Sequence, residues 1–151
     1  MPKPSPMKRE LFVIIVVLSC LPGQAHAQSQ DKCSVTVLRK TFDKIDKLKE
    51  RDIRGFLMTF DTSCDQYVDF SEWSNEILFD VLNAYPKEVL EVLEKEKSRL
   101  NIEEILTELS APITDKVNVH ELINRIDQIK GNKEMKNMVI EYLQKTSVNK
   151  Y

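Results

Sequence analysis

The sequence predicts an all-α fold, a compact bundle of six to seven short helices, with stacked solenoid-like helix pairs as the alternative arrangement. Three observations carry this. Apolar residues recur at steps of three and four along most of the chain, the period of a helix with one buried face. Helix punctuation is dense: Asn101 and Asn118 each precede a Glu by three residues, and Pro86 and Gly131 stand where a helix would begin and end. No stretch alternates apolar and polar residues as a half-buried strand would.

The N-terminus reads as a targeting segment. Lys8 and Arg9 precede an apolar run at 11–19, Pro22-Gly23 breaks it, and Ala25-His26-Ala27 forms a small-x-small cleavage site. Residues 1–27 are therefore expected to be a signal peptide cleaved after Ala27. Residues 28–145 would form a single helical domain, and 146–151 a flexible C-terminal tail. The apolar run falls well short of the ~20 residues a membrane span requires. Val17-Leu18-Ser19-Cys20 loosely resembles a bacterial lipobox, so lipidation at Cys20 is the alternative fate of this end. Either way the expected location is secreted or periplasmic.

The helices follow in order. Over 33–50, Val35, Leu38, Phe42 and Ile45 mark one apolar face. Asp52 can cap a short helix facing inward through Ile53, Phe56, Leu57 and Phe60. A helix over 71–84 would bury Trp73, Ile77, Leu78, Val81 and Leu82; Pro86 opens the next, with Val89, Leu90, Val92 and Leu93 inward. Its mixed-charge run at 88–99 reads as a solvated face over a core stripe, without the basic face of a membrane-surface helix. Asn101 and Asn118 cap the two helices after that, the second carrying Leu122, Ile123, Ile126 and Ile129. Gly131 suits the left-handed position past its end. The last helix, over 133–144, turns Met135, Met138, Val139, Tyr142 and Leu143 inward.

Charge and cysteine content narrow the partners. Cleavage would remove Lys3, Lys8, Arg9 and Glu10 from totals of 22 basic and 24 acidic residues, leaving 19 and 23 and a net charge of −4. That balance argues against nucleic acid, which calls for a clustered basic footprint. A protein partner of unknown identity is expected instead, with no membrane span after cleavage. Cys33 and Cys64 remain as an even pair, expected to be bridged in an oxidising compartment.

One segment points to a specific chemistry. Between 61 and 72, Asp61, Ser63, Asp65, Tyr67 (through its carbonyl), Asp69 and Glu72 occupy positions 1, 3, 5, 7, 9 and 12 of a twelve-residue loop. Ile53, Phe56, Leu57 and Phe60 lead in, Val68 holds the apolar loop position, and Trp73 follows Glu72. On these residues 53–81 resembles a single EF-hand, the helix–loop–helix module that offers calcium six to eight oxygens. The resemblance implies a calcium site at those six residues, Val68 packed inward, and a sixth position turning through positive φ. This chain departs from the family there, with Gln66 in place of glycine, and no second such loop occurs.

No catalytic set assembles. His120 is the only histidine past residue 27 and opens a capped helix, and the two cysteines are expected in a bridge. Glu72 with Glu76, and Glu103 with Glu104, are carboxylate pairs of the kind helix faces routinely carry. No glycine-rich phosphate loop is present. The expectation is an exported, non-enzymatic interaction or structural module without a cofactor, with calcium binding at 61–72 as the alternative.

Overall fold

Seven α-helices and two 3-10 turns build the computed structural model, which describes residues 32–131 and 133–148; no strand occurs among them. The helices are α1 (Val35–Asp43), α2 (Glu50–Leu57), α3 (Val68–Ala84), α4 (Pro86–Lys95), α5 (Ile102–Leu109), α6 (Val119–Asp127) and α7 (Lys133–Val148). The signal peptide, its cleavage site and Cys20 lie outside the described residues, as do 149–151 of the expected tail. No helix among the described residues is long and apolar enough to cross a membrane.

Several expected signals act as written. Asn101 Oδ1 accepts from the Glu104 amide at 3.4 Å, and Asn118 Oδ1 from the Glu121 amide at 3.1 Å, satisfying orphan donors at the starts of α5 and α6. Pro86 opens α4, where its missing N–H costs nothing. Gly131 has φ +88°, and Lys136 of α7 donates to the Asp127 and Ile129 carbonyls at 2.8 and 3.3 Å, closing the end of α6. Val89, Leu90, Val92, Leu93, Leu122, Ile126, Met135, Val139 and Leu143 are all buried.

These stripes meet in one core. α1 packs on α2 and α3, α2 on α4, α3 on α4 and α5, and α7 on α4, α5 and α6. Contacts such as α2 with α4 and α5 with α7 skip an element, so the helices close around a shared interior rather than stacking only on their sequence neighbours. Phe56, Phe79, Leu38, Ile53 and Leu57 lie at its centre.

The structure differs from expectation at four element boundaries. The run 33–50 breaks after Asp43 into a 3-10 turn, Ile45–Lys47, and an extended Leu48. Tyr85 pins this break: its hydroxyl donates to the Ile45 carbonyl at 2.8 Å and accepts from the Leu48 amide at 3.3 Å. The break also reassigns the face of α1, which is capped by Ser34. Leu38 and Thr41 turn inward, while Val35 and Phe42 stand 48% and 51% exposed. α2 begins at Glu50, so Asp52 sits inside the first turn and accepts from the Lys49 amide at 3.1 Å instead of capping from outside. α3 begins at Val68, three residues before 71, taking Asp69 and Glu72 into helix. α7 continues to Val148, absorbing the first residues of the expected tail, since no glycine or proline stops it at 144.

Candidate functional site

The segment singled out by its oxygens is a covalently tethered turn. Asp61 caps a 3-10 helix, Thr62–Gln66, with Oδ1 accepting from the Ser63 amide at 3.1 Å and from the Ser63 hydroxyl at 2.7 Å. Cys64, buried in this helix, sits at disulfide distance from Cys33, Sγ–Sγ 2.15 Å and Cα–Cα 5.4 Å. The expected pairing is the one observed. Cys33 has φ +57°, the only non-glycine residue among those described with positive φ, and its amide donates to the Thr59 carbonyl at 3.1 Å. A left-handed conformation is unfavourable for a residue with a Cβ, so the bridge and that hydrogen bond together hold it.

This tether bears on where the six oxygens go. Gln66 does not take positive φ; it lies in the 3-10 helix with Nε2 donating to the Ser63 carbonyl at 3.0 Å. Without that turn, the chain does not fold back around a central point. Asp61 is committed to Ser63 and to Lys32, whose Nζ is 2.5 Å from Oδ2. The Lys32 ammonium, followed by the Ser63 donors, lowers the Asp61 carboxyl to about 2. Asp69 and Glu72 project from α3 and are exposed, and Val68, which the resemblance implies is packed inward, is 62% exposed. Among the described residues no group of three or more His, Cys, Asp or Glu side chains is placed to hold a metal ion. In this arrangement the donor set does not fit calcium.

What the turn does form is a pair of surfaces that sequence reasoning missed. On one side, Asp61, Asp65, Glu104 and Glu108 border a crevice of about 10 Å³ between the turn and α5, room for at most one water. Burial raises the Glu104 carboxyl, and the negative charges of Asp65, Glu108 and Asp61 raise it further, as does a hydrogen bond that its protonated form donates to Asp65. Burial likewise raises Glu108, against a hydrogen bond from Asn75 that lowers it. Asn75, 1% exposed, is the polar centre of this region. Its Nδ2 donates to the Glu108 carbonyl at 3.0 Å and to Glu108 Oε2 at 2.6 Å, and its Oδ1 accepts from the Ile113 amide at 3.1 Å. A signal was available: Asn75 is in helical phase with the core residues Leu78 and Leu82. The acids, by contrast, come from segments far apart in the chain.

These shifts set a pH dependence. Glu104 and Glu108 bind protons more tightly in the fold, so their stabilisation is full below their ordinary value of 4.5 and is lost as pH rises through the raised values. Asp61 acts oppositely. Its stabilisation is present above 3.8 and is lost as pH falls through about 2. The denaturation midpoint should therefore fall from mildly acidic to neutral pH. Glu104→Gln should flatten that fall and raise stability at pH 7 by a few tenths to about 1 kcal/mol, allowing for solvent screening. Urea titrations at intervals between pH 4 and 8 would check it; an unchanged slope in the variant would show that Glu104 does not carry the effect.

On the other side of the turn lies a groove of about 650 Å³ between the start of α1 and the start of α3. Val35, Tyr67, Val68 and Phe70 supply its apolar lining. Its polar rim includes Lys32, Ser63, Gln66 and Asp69, of which Lys32 and Ser63 are already engaged with Asp61. The disulfide joins the two walls, since Cys33 belongs to one and Cys64 to the turn behind the other. His120 is exposed on the first turn of α6 and takes no part in either surface.

Fold and site together define a disulfide-tethered, all-α domain with an apolar groove beside the tether. Comparison of the chain with protein-family models, curated proteins and solved structures finds no match in any of the three.

Proposed function

We propose that this chain is an exported, non-enzymatic interaction module whose working surface is the groove between α1 and the start of α3. The observation that carries this reading is the set of exposed large apolar side chains there. Val35, Tyr67 and Val68 line the groove and are three of the five among the described residues, Phe42 and Ile113 being the others. A contiguous apolar patch on a soluble domain marks a place where something binds. The groove's fixed polar groups support binding rather than chemistry, because Lys32, Ser63 and Cys33 already have partners. Export is supported by the residue pattern of 1–27 and by the paired cysteines, which suit an oxidising compartment.

Site-specific photo-crosslinking in the living source tests the reading. A photoreactive residue at Val68 is expected to give discrete protein adducts, and one at the exposed Thr107 of α5 none. Adduct-free protein at Val68 would end it. Calcium binding at Asp61, Ser63, Asp65, Tyr67, Asp69 and Glu72 is the alternative. Millimolar calcium, compared with chelator, is expected to leave the melting temperature unchanged; a rise abolished by Glu72→Gln would restore the metal reading by mass action.

A further inference from the structure

A second hollow, of about 150 Å³, lies between α1 and α2 and shares no lining residue with the groove. Its charged lining is mostly basic: Lys40 near the end of α1, Lys44 at its C-cap and Arg51 in the first turn of α2, against the single acid Asp52. The three cations are exposed, and none has an ion-pair partner among the described residues. Arg54, one turn on from Arg51, does have one, meeting Glu96 at 3.4 Å. Lys40 and Lys44 are four residues apart, a spacing at which like charges repel along a helix. Attraction to the negative end of α1 accounts for Lys44 but not for Arg51. Asp52 accepts from the Lys49 amide through Oδ2, and three cations outweigh it.

Gly55 also lines the hollow from inside α2, where glycine weakens a helix relative to alanine. Neither usual reason for a glycine applies. Its φ is not positive, and a Cβ there would meet nothing within 4 Å. What the missing side chain does is leave the hollow open.

We propose that this hollow binds the phosphate group of a phosphate monoester, held by Lys40, Lys44 and Arg51. Such a group carries about −1.5 to −2 charge at neutral pH and three acceptor oxygens, which three cationic donors around a small hollow match. Arg51 can offer two parallel N–H groups and the lysines compact charges. A bound dianion would also relieve the repulsion between Lys40 and Lys44. The site is independent of the apolar groove and stands whether or not the groove takes a protein.

Calorimetric titration of the protein as the cell processes it, with the Cys33–Cys64 bridge closed, tests the site with inorganic phosphate and methyl phosphate as probes. Saturable millimolar or tighter binding is expected, weaker at high salt. Lys44→Gln with Arg51→Gln should weaken it about tenfold or more. Asp52→Asn, which keeps an acceptor for the Lys49 amide, should tighten it. Arg39→Gln with Lys47→Gln removes two exposed cations of the same segment that lie outside the hollow, and should leave binding within about twofold. Gly55→Ala should raise the melting temperature in phosphate-free buffer. Gly55→Leu, whose side chain would fill the hollow, should stay folded by circular dichroism and lose binding. Absence of binding by both probes, equal losses from the two double variants, or wild-type binding by Gly55→Leu overturns the proposal. So does a lower melting temperature for Gly55→Ala, which would mean that packing requires the glycine. Cosedimentation with phosphatidylcholine vesicles containing phosphatidic acid separates the sources of the group. Capture lost with Lys44→Gln and Arg51→Gln assigns it to a lipid headgroup; methyl phosphate binding without capture assigns it to a soluble ester.

Discussion

Replacing Asn75 with alanine is expected to destabilise the protein by about 3–5 kcal/mol, an effect larger than that of any surface substitution. The reason is the number of groups it satisfies from within the core. Its amide donates to the Glu108 carbonyl and carboxylate, and its carbonyl accepts from the Ile113 amide. Alanine would leave a buried carbonyl, a part-buried carboxylate and an amide with one partner fewer, each worth about 1–3 kcal/mol when unsatisfied. The bonds link α3 to the end of α5 and the segment after it, so their loss also loosens the turn that α5 supports. A lower urea midpoint with an unchanged m-value is the expected signature. Asn75→Asp sharpens the test, since it sets a second carboxylate against Glu108. That variant should be worse than alanine at pH 7 and partly recover below pH 5, where one proton can be shared. A loss under 1 kcal/mol for the alanine variant would mean that water replaces Asn75 at little cost.

Opening the Cys33–Cys64 bridge should lower stability by about 3–4 kcal/mol, since it closes a loop of roughly thirty residues in the unfolded chain. For a domain of this size the melting temperature should drop on the order of 10–15 °C. The double alanine variant and the reduced protein should agree. A second comparison separates the bridge from the backbone it constrains. Residue 33 sits at φ +57°, so with the bridge removed, glycine at 33 should be about 1 kcal/mol more stable than alanine there. Equal stability would show that residue 33 leaves the left-handed region once the bridge is gone. The groove should open with it, because the bridge connects its walls. Reduced protein should accordingly lose the crosslinks made from Val68.

The turn that the bridge anchors is where sequence reasoning was weakest, and its residues show why. Asp61, Asp65, Asp69 and Glu72 were legible as an acidic, oxygen-rich segment between two helices, and a turn does form there. Its geometry turned on Gln66 and Cys64. Without glycine at the sixth position the chain tightens into a 3-10 helix, and the bridge draws Cys64 into the core. Once α3 starts at Val68, the two later acids belong to a helix face. The exposed Val35 and Phe42 teach the same lesson. Periodicity marked a stripe on α1, but Leu38 and Thr41 face the core, and the break pinned by Tyr85 leaves the other edge of the stripe outside.

The sequence by itself determined the all-α class, the caps at Asn101 and Asn118, the stop at Gly131, the buried stripes of α4, α6 and α7, and the cysteine pairing. Each of these signals acts within a few residues, or, for the cysteines, leaves one pair among the residues past the expected signal peptide. Only the tertiary structure decided which face of α1 stays outside, that Asp65 and Glu104 share one crevice, and that Asn75 reaches Glu108 across 33 residues of chain. Those outcomes depend on how separate helices pack. Helical period and caps specify where a helix runs and which residues share a side, whereas its neighbours determine which side is covered.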